Sequence, residues 1–172
     1  MIISLTGFMG SGKSSVGKEL PALLSLPGGP FDFIDLDDFI VKSEGMSVND
    51  IFAAKGESGF RSIETLCLEN LLDQYNGRNL VLALGGGTAV FNSELVHSQT
   101  ICVYLSASVD TLVTRLTSDN SRPLLAGTDD LQSRIERLYT AREGTYRSVA
   151  HHTIATDGLS VSAVASHIAE IL

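Results

Sequence analysis

Gly7-Phe8-Met9-Gly10-Ser11-Gly12-Lys13-Ser14 follows the apolar run Ile2-Ile3-Ser4-Leu5-Thr6 and precedes a helix-forming segment. The spacing fits G-x-x-x-x-G-K-[ST], a pattern with a mechanism attached. Gly7, Gly10 and Gly12 let the backbone enter conformations closed to other residues and bring several N–H groups onto one set of phosphate oxygens. A helix starting near Gly12 adds the positive end of its dipole, Lys13 adds a mobile cation, and the Ser14 hydroxyl stands where Mg2+ is ligated. A glycine-rich turn that fits by chance would not need a β-branched strand before it and a helix after it.

Working outward, residues 13–25 read as the helix after the loop, interrupted by Pro21, which predicts a kink or an early stop near Leu20. Leu26 to Pro30 reads as a loop and Phe31-Asp32-Phe33-Ile34 as the next strand, so the chain opens as a βαβ unit. Asp35 and Asp37 then fall at the carboxyl end of that strand, where α/β sheets place ligands, and period-two alternation points both the same way. A magnesium nucleotide needs hard oxygen ligands and a base nearby. Asp38 reads as an acidic helix start before Phe39-Ile40-Val41.

Ser47-Val48-Asn49-Asp50 resembles a weak capping box, and Gly56 breaks the segment that follows. A long amphipathic helix is expected over about 58–75, with Ile63, Leu66, Cys67, Leu71 and Leu72 on or near its apolar face. Arg61 and Glu64, three apart, can pair on one helix face; a surface salt bridge of little energetic value is an equal reading. Leu80-Val81-Leu82-Ala83-Leu84 reads as a strand buried on both faces. It ends in Gly85-Gly86-Gly87, which suggests a ligand lying against bare backbone. A further strand over Ile101–Leu105 and a helix over about 108–116 follow.

Residues 119–127 are polar, irregular and punctuated by glycine and proline, the composition of a mobile lid. Arg115, Arg122, Arg134, Arg137, Arg142 and Arg147 concentrate guanidinium groups in this third of the chain, as a site for anions requires; Arg134 and Arg137 are expected on the outer face of a helix over about 130–148. His152-Thr153-Ile154 reads as the last strand, and Val161, Val164, Ala165, Ile168 and Leu172 as the inward stripe of a closing helix. His97, His151, His152 and His167 form neither a metal set nor a triad.

The chain has 172 residues, 44% of them hydrophobic, which suits one domain with a substantial core. Its formal charge of −8 argues against nucleic acid or an anionic membrane as partner. Cys67 and Cys102 lie in apolar contexts without metal spacing and read as reduced thiols. A soluble cytoplasmic protein is the expectation.

These pieces, in this order, resemble the shikimate kinase family over nearly the whole length. The motifs are the Gly7–Ser14 loop, Asp35-x-Asp37, Gly59-Phe60-Arg61 with Glu64, Gly85-Gly86-Gly87, Arg122-Pro123-Leu124-Leu125, and Arg142 with Tyr146 four residues on. The resemblance implies a single domain over 1–172 with a nucleoside-monophosphate-kinase-like α/β fold. Its five-stranded parallel sheet would be flanked by helices in three layers, with a mobile lid at about 119–130 and a substrate-binding helical segment at about 37–75. It implies the reaction of ATP with shikimate to give ADP and 3-phosphoshikimate, with one Mg2+, in a monomer.

Roles follow by resemblance. Gly10, Ser11, Gly12, Lys13, Ser14 and Ser15 would hold the nucleotide, with Arg115 on adenine and Arg122 over the phosphates. Ser14 and Asp35 would hold the metal, and Asp37 would bind substrate hydroxyls and act as base. Arg61 and Arg142 would clamp the carboxylate, with Glu64 orienting Arg61, while Gly85, Gly86 and Gly87 would border the ring. Lys13, Asp37 and Arg122 are the catalytic candidates. The link before Asp35 is longer than the family's usual one, and neither Ala83 nor Leu84 carries the hydroxyl often found there. A gluconate kinase should lack the Arg61 and Arg142 pair, and a nucleotide switch should carry N-K-x-D and D-x-x-G motifs, which are absent.

Overall fold

The computed structural model describes residues 1–25, 29–117 and 130–172. Five parallel strands form one sheet in the order β2-β3-β1-β4-β5. They are β1 (Ile2–Thr6), β2 (Asp32–Asp35), β3 (Leu80–Ala83), β4 (Ile101–Ser106) and β5 (His152–Ala155). β1 lies in the middle, with Ile3 opposite Val81 on one side and Ile101 on the other. The three inner strands are the continuous apolar runs and are almost wholly buried, as strands covered on both faces must be. β2 and β5 are the half-buried edges.

Alternate residues of the inner strands feed two cores. Leu80, Leu82, Cys102 and Tyr104 face one side, where α2 (Leu36–Glu44), α3 (Val48–Gln74) and α7 (Leu131–Val149) supply Ile40, Leu68, Leu71 and Ile135. Val81, Val103, Ile3 and Leu5 face the other, against Val16 of α1 (Lys13–Glu19) and Val164 and Ile168 of α8 (Val161–Ile171). The expected three-layer α/β architecture is therefore present. The short helices α4 (Thr88–Phe91) and α5 (Ser93–Gln99) and the eight-residue α6 (Val109–Leu116) complete the described elements.

Proline acts as expected: α1 stops at Glu19 and a 3-10 turn, Leu20–Ala22, begins with Pro21 in its first turn. Gly56, at φ 69° and ψ −178°, breaks α3 into two helices that follow one another without a loop, a backbone state that side chains other than glycine resist. Helix starts are set by side chains accepting the N–H three residues on: Ser47, Ser108, Asp130 and Ser160.

Two expectations are corrected. Leu66 is 59% exposed, because the inward stripe of α3 runs through Phe60, Glu64, Cys67, Leu68 and Leu71 and passes Leu66 by. Arg134, expected on the outer face of α7, is only 7% exposed, because it lies eight residues before the inward-facing Arg142 and shares its stripe. Arg137 is exposed as expected. Among the described residues no helix is long and apolar enough to cross a membrane.

Candidate active site

The carboxyl ends of the strands lead into the loops that build the site. β1 delivers residues 7–12, β2 delivers Asp35 and Asp37, β3 delivers Gly85–Gly87, and β5 delivers Thr156. They border a cleft of about 990 Å³. Gly10–Ser15 and Asp35 line it together with Arg115, Thr156 and Leu159.

α1 starts at Gly12 (φ 98°) with no side-chain cap, which leaves first-turn N–H groups for a ligand. The Lys13 ammonium, almost buried, donates to the Gly7 and Phe8 carbonyls at 2.9 and 2.8 Å and braces the loop from inside. Ser11 Oγ is buried without a hydrogen-bond partner among the described residues, a polar atom aimed at the same loop.

Asp35 and Asp37 come together, but not by strand alternation. Asp35 ends β2 and caps α2, its Oδ1 accepting the Asp37 N–H at 3.0 Å, so Asp37 stands on the first helical turn. The other Asp35 oxygen, Oδ2, accepts from Ser14 Oγ at 2.5 Å. Two hard oxygen donors therefore meet at the mouth of the phosphate loop, a donor set that suits Mg2+ with its remaining positions filled by phosphate and water. Among the described residues no group of three or more His, Cys, Asp or Glu side chains gathers as a metal cage of its own.

Beside the cleft, and sharing Met9, Asp37, Gly85 and Gly86 with it, lies a smaller pocket of about 60 Å³. Arg61, Arg142, Phe52 and Phe60 line it. The Arg61–Glu64 pair is no surface salt bridge: Nη1 donates to Glu64 Oε2 at 2.8 Å, and the glutamate is wholly buried. Thr88 Oγ1 donates to the second glutamate oxygen at 2.7 Å, so the carboxylate is satisfied on both sides and holds the guanidinium still. Arg61 Nε has no partner among the described residues. Arg142 Nη1 donates to the Gly86 carbonyl at 3.3 Å.

The triple glycine does more than admit a ligand. A Cβ on Gly85 would stand 3.0 Å from Asp37 Oδ1 and Glu64 Oε1, and one on Gly87 would stand 2.5 Å from Arg61 Nη2. The bare backbone makes room for the polar side chains of the pocket as well.

A model of the shikimate kinase family matches residues 9–172. The chain belongs to the shikimate kinase family. It is 38% identical to the shikimate kinase of Francisella tularensis subsp. holarctica, covering 99% of this chain and 93% of that protein. It is 36% identical to the shikimate kinase of Mannheimia succiniciproducens, over 99% and 94%. Its structure matches the shikimate kinase from Acinetobacter baumannii in complex with shikimate at a TM-score of 0.88 and 35% identity, over 99% of this chain and 91% of that one.

Measured against the shikimate kinase motifs, the residues divide clearly. Gly10–Ser15, Asp35 and Arg115 line the large cleft; Arg61, Arg142 and Gly87 line the small pocket; Asp37, Gly85 and Gly86 line both. Arg122 and the expected lid fall outside the described residues, apart from Asp130, which caps α7. Arg115 donates to Gly10 O at 3.1 Å and to Thr156 Oγ1 and O at 3.2 and 3.1 Å, joining the phosphate loop to the end of β5.

Sequence reasoning missed Glu57, which reaches Arg61 Nη2 at 3.3 Å, and Thr88. The four-residue spacing of Glu57 and Arg61 was a usable signal for the first. Nothing local marked the second. Sequence reasoning also missed the stacking of His97 on His151, 4.6 Å between centroids, at the amino end of the sheet where His151 pairs with Cys102.

Proposed function

We propose that the chain phosphorylates the 3-hydroxyl of shikimate, using ATP bound at Gly10–Ser15. The observation that carries this reading is that Asp37, Arg61 and Arg142 line one small pocket opening beside the phosphate loop. Two guanidinium groups are suited to a carboxylate, since their planar donors can engage both oxygens. Asp37, shared by both pockets, then stands between the acid and the nucleotide, where it accepts the proton of the attacking hydroxyl.

Phosphoryl transfer asks for in-line positioning and for cations where charge accumulates. Lys13 supplies one such cation, and resemblance assigns Arg122 another. Ser14 and Asp35 would hold Mg2+, which when bound neutralises phosphate charge. Phe52 and Phe60, 4.6 Å apart, cover the ring and keep water from the hydroxyl. The part of the cleft lined by Arg115, Thr156 and Leu159 takes adenine. The reading extends to a cytoplasmic monomer, supported by the two free thiols and by a charge of −8 that disfavours polyanionic partners.

A coupled assay of ADP release tests this. Rapid release with shikimate and background release with gluconate is the expected result; the reverse selects a gluconate kinase, and release indifferent to either acid selects a nucleotide switch.

A further inference from the structure

Tyr146 has no exposed surface, and its hydroxyl donates to the Gly86 carbonyl, the same oxygen that accepts from Arg142 Nη1. The two donors stand four apart on α7, one turn of helix, and so approach that carbonyl together. The carbonyl belongs to a glycine followed by another glycine, a peptide with no side chain on either flank to hold its plane. At 3.3 Å the Arg142 bond is long, too weak to hold the plane by itself.

We infer that Tyr146 is a positioning residue for acid recognition: its hydroxyl fixes the Gly86 peptide and satisfies that carbonyl, leaving the Arg142 guanidinium free to face the small pocket. Neither partner can do this in reverse, since a carbonyl only accepts and a guanidinium only donates. Burial pushes the Tyr146 hydroxyl up to about 12, against the opposing pull of the Arg142 charge, so it stays a donor throughout the physiological range. The aromatic ring packs on Tyr104 at 5.4 Å, a contact that phenylalanine would keep. Without the hydroxyl, Gly86 O keeps only the long Arg142 bond, and the guanidinium is drawn further toward it and away from the pocket.

The inference rests on the acid-binding reading of the pocket, and its test separates the two. Tyr146→Phe is expected to raise the KM for shikimate about tenfold, the worth of one hydrogen bond that orients a charged group, with kcat and the KM for ATP within about twofold of the parent. Tyr139→Phe, on the same helix as Tyr146, removes a hydroxyl contact to Tyr104 of β4; it serves as the control for a general loosening of α7 and should leave the shikimate KM unchanged. Calorimetric titration of shikimate supplies the second measurement. In an Arg142→Ala background, adding Tyr146→Phe should change the Kd by less than about twofold, because the hydroxyl acts through the arginine. An unchanged KM in Tyr146→Phe, an equal rise in the KM for ATP, or a full tenfold effect in the Arg142→Ala background overturns the inference while the acid-binding reading stands. A parent enzyme inert toward shikimate overturns both.

Discussion

Arg61 Nη1 lies 2.8 Å from Glu64 Oε2, and that carboxylate is closed off from water and held on its other side by Thr88. A buried pair of this kind is costly to assemble, but once assembled it fixes a charge in place. Glu64→Ala leaves Arg61, among the described residues, with Glu57 as its remaining carboxylate partner, whose side chain is 47% exposed. Denaturant melts should show a loss of about 3–5 kcal/mol, the usual result of removing one member of a buried pair. The shikimate KM should rise with it; a variant as stable as the parent would show that the pair carries no structural weight.

Gly87 and Gly7 should respond differently to alanine. At Gly87 the new Cβ lands 2.5 Å from Arg61 Nη2, the far end of a flexible side chain that can shift aside within the pocket. The expected variant melts within about 4 °C of the parent, roughly 1 kcal/mol for a domain of this size, yet binds shikimate at least tenfold less well. At Gly7, φ is 142° and the Cβ meets the Leu105 carbonyl at 2.6 Å, a backbone atom that cannot step aside. Gly7→Ala should lose both melting temperature and nucleotide binding. Equal behaviour of the two variants in thermal melts would contradict this division.

Lys13→Ala should lower kcat by about 10²–10³-fold, the scale of losing one group that stabilises transition-state charge. Arg142→Ala should instead weaken shikimate binding by roughly 2–5 kcal/mol while leaving ATP affinity little changed. Steady-state kinetics with each substrate varied in turn checks both. A common loss for the two substrates in Arg142→Ala would remove the arginine from the acid site.

Two groups contribute to the acid limb of stability. His151 Nδ1 accepts the Cys102 N–H at 3.0 Å, and burial, with the neighbouring charges of His97 and His152, holds its pKa below the ordinary 6.5. Below pH 6.5 the unfolded chain therefore takes a proton that the folded chain still refuses, and stability falls until the lowered folded value is passed. Asp157, hydrogen-bonded by Thr111 and Ser108, has its pKa held below 3.8; its contribution is complete above that value and is lost as pH falls through the lower folded one. His151→Asn, whose amide oxygen can accept the same N–H without titrating, should flatten the fall in melting temperature just below pH 6.5 and leave the more acidic step intact. An unchanged slope would place the effect elsewhere.

The sequence made the phosphate loop, the inner strands and the stop at Pro21 legible because each depends on residues close together in the chain. The meeting of Asp35 and Asp37 was anticipated for the wrong geometric reason: a helix cap, not strand alternation, brings Asp37 round. Spacing alone showed that Arg61 and Glu64 could pair. It could not show that they sit on the buried stripe of α3, since charged residues carry no mark of the face they occupy. Arg134 was misplaced for the same reason. The shared use of Gly86 O by Arg142 and Tyr146 joins residues 56 and 60 positions apart, a separation no local pattern spans.

A crystal structure with ADP and shikimate both bound tests the central claim most directly. The account predicts the ADP phosphates on residues 7–14, the acid's carboxylate within hydrogen-bonding distance of Arg61 and Arg142, and a ring hydroxyl on Asp37 facing the nucleotide. Shikimate lodged away from Asp37, or its carboxylate turned from both arginines, would contradict it.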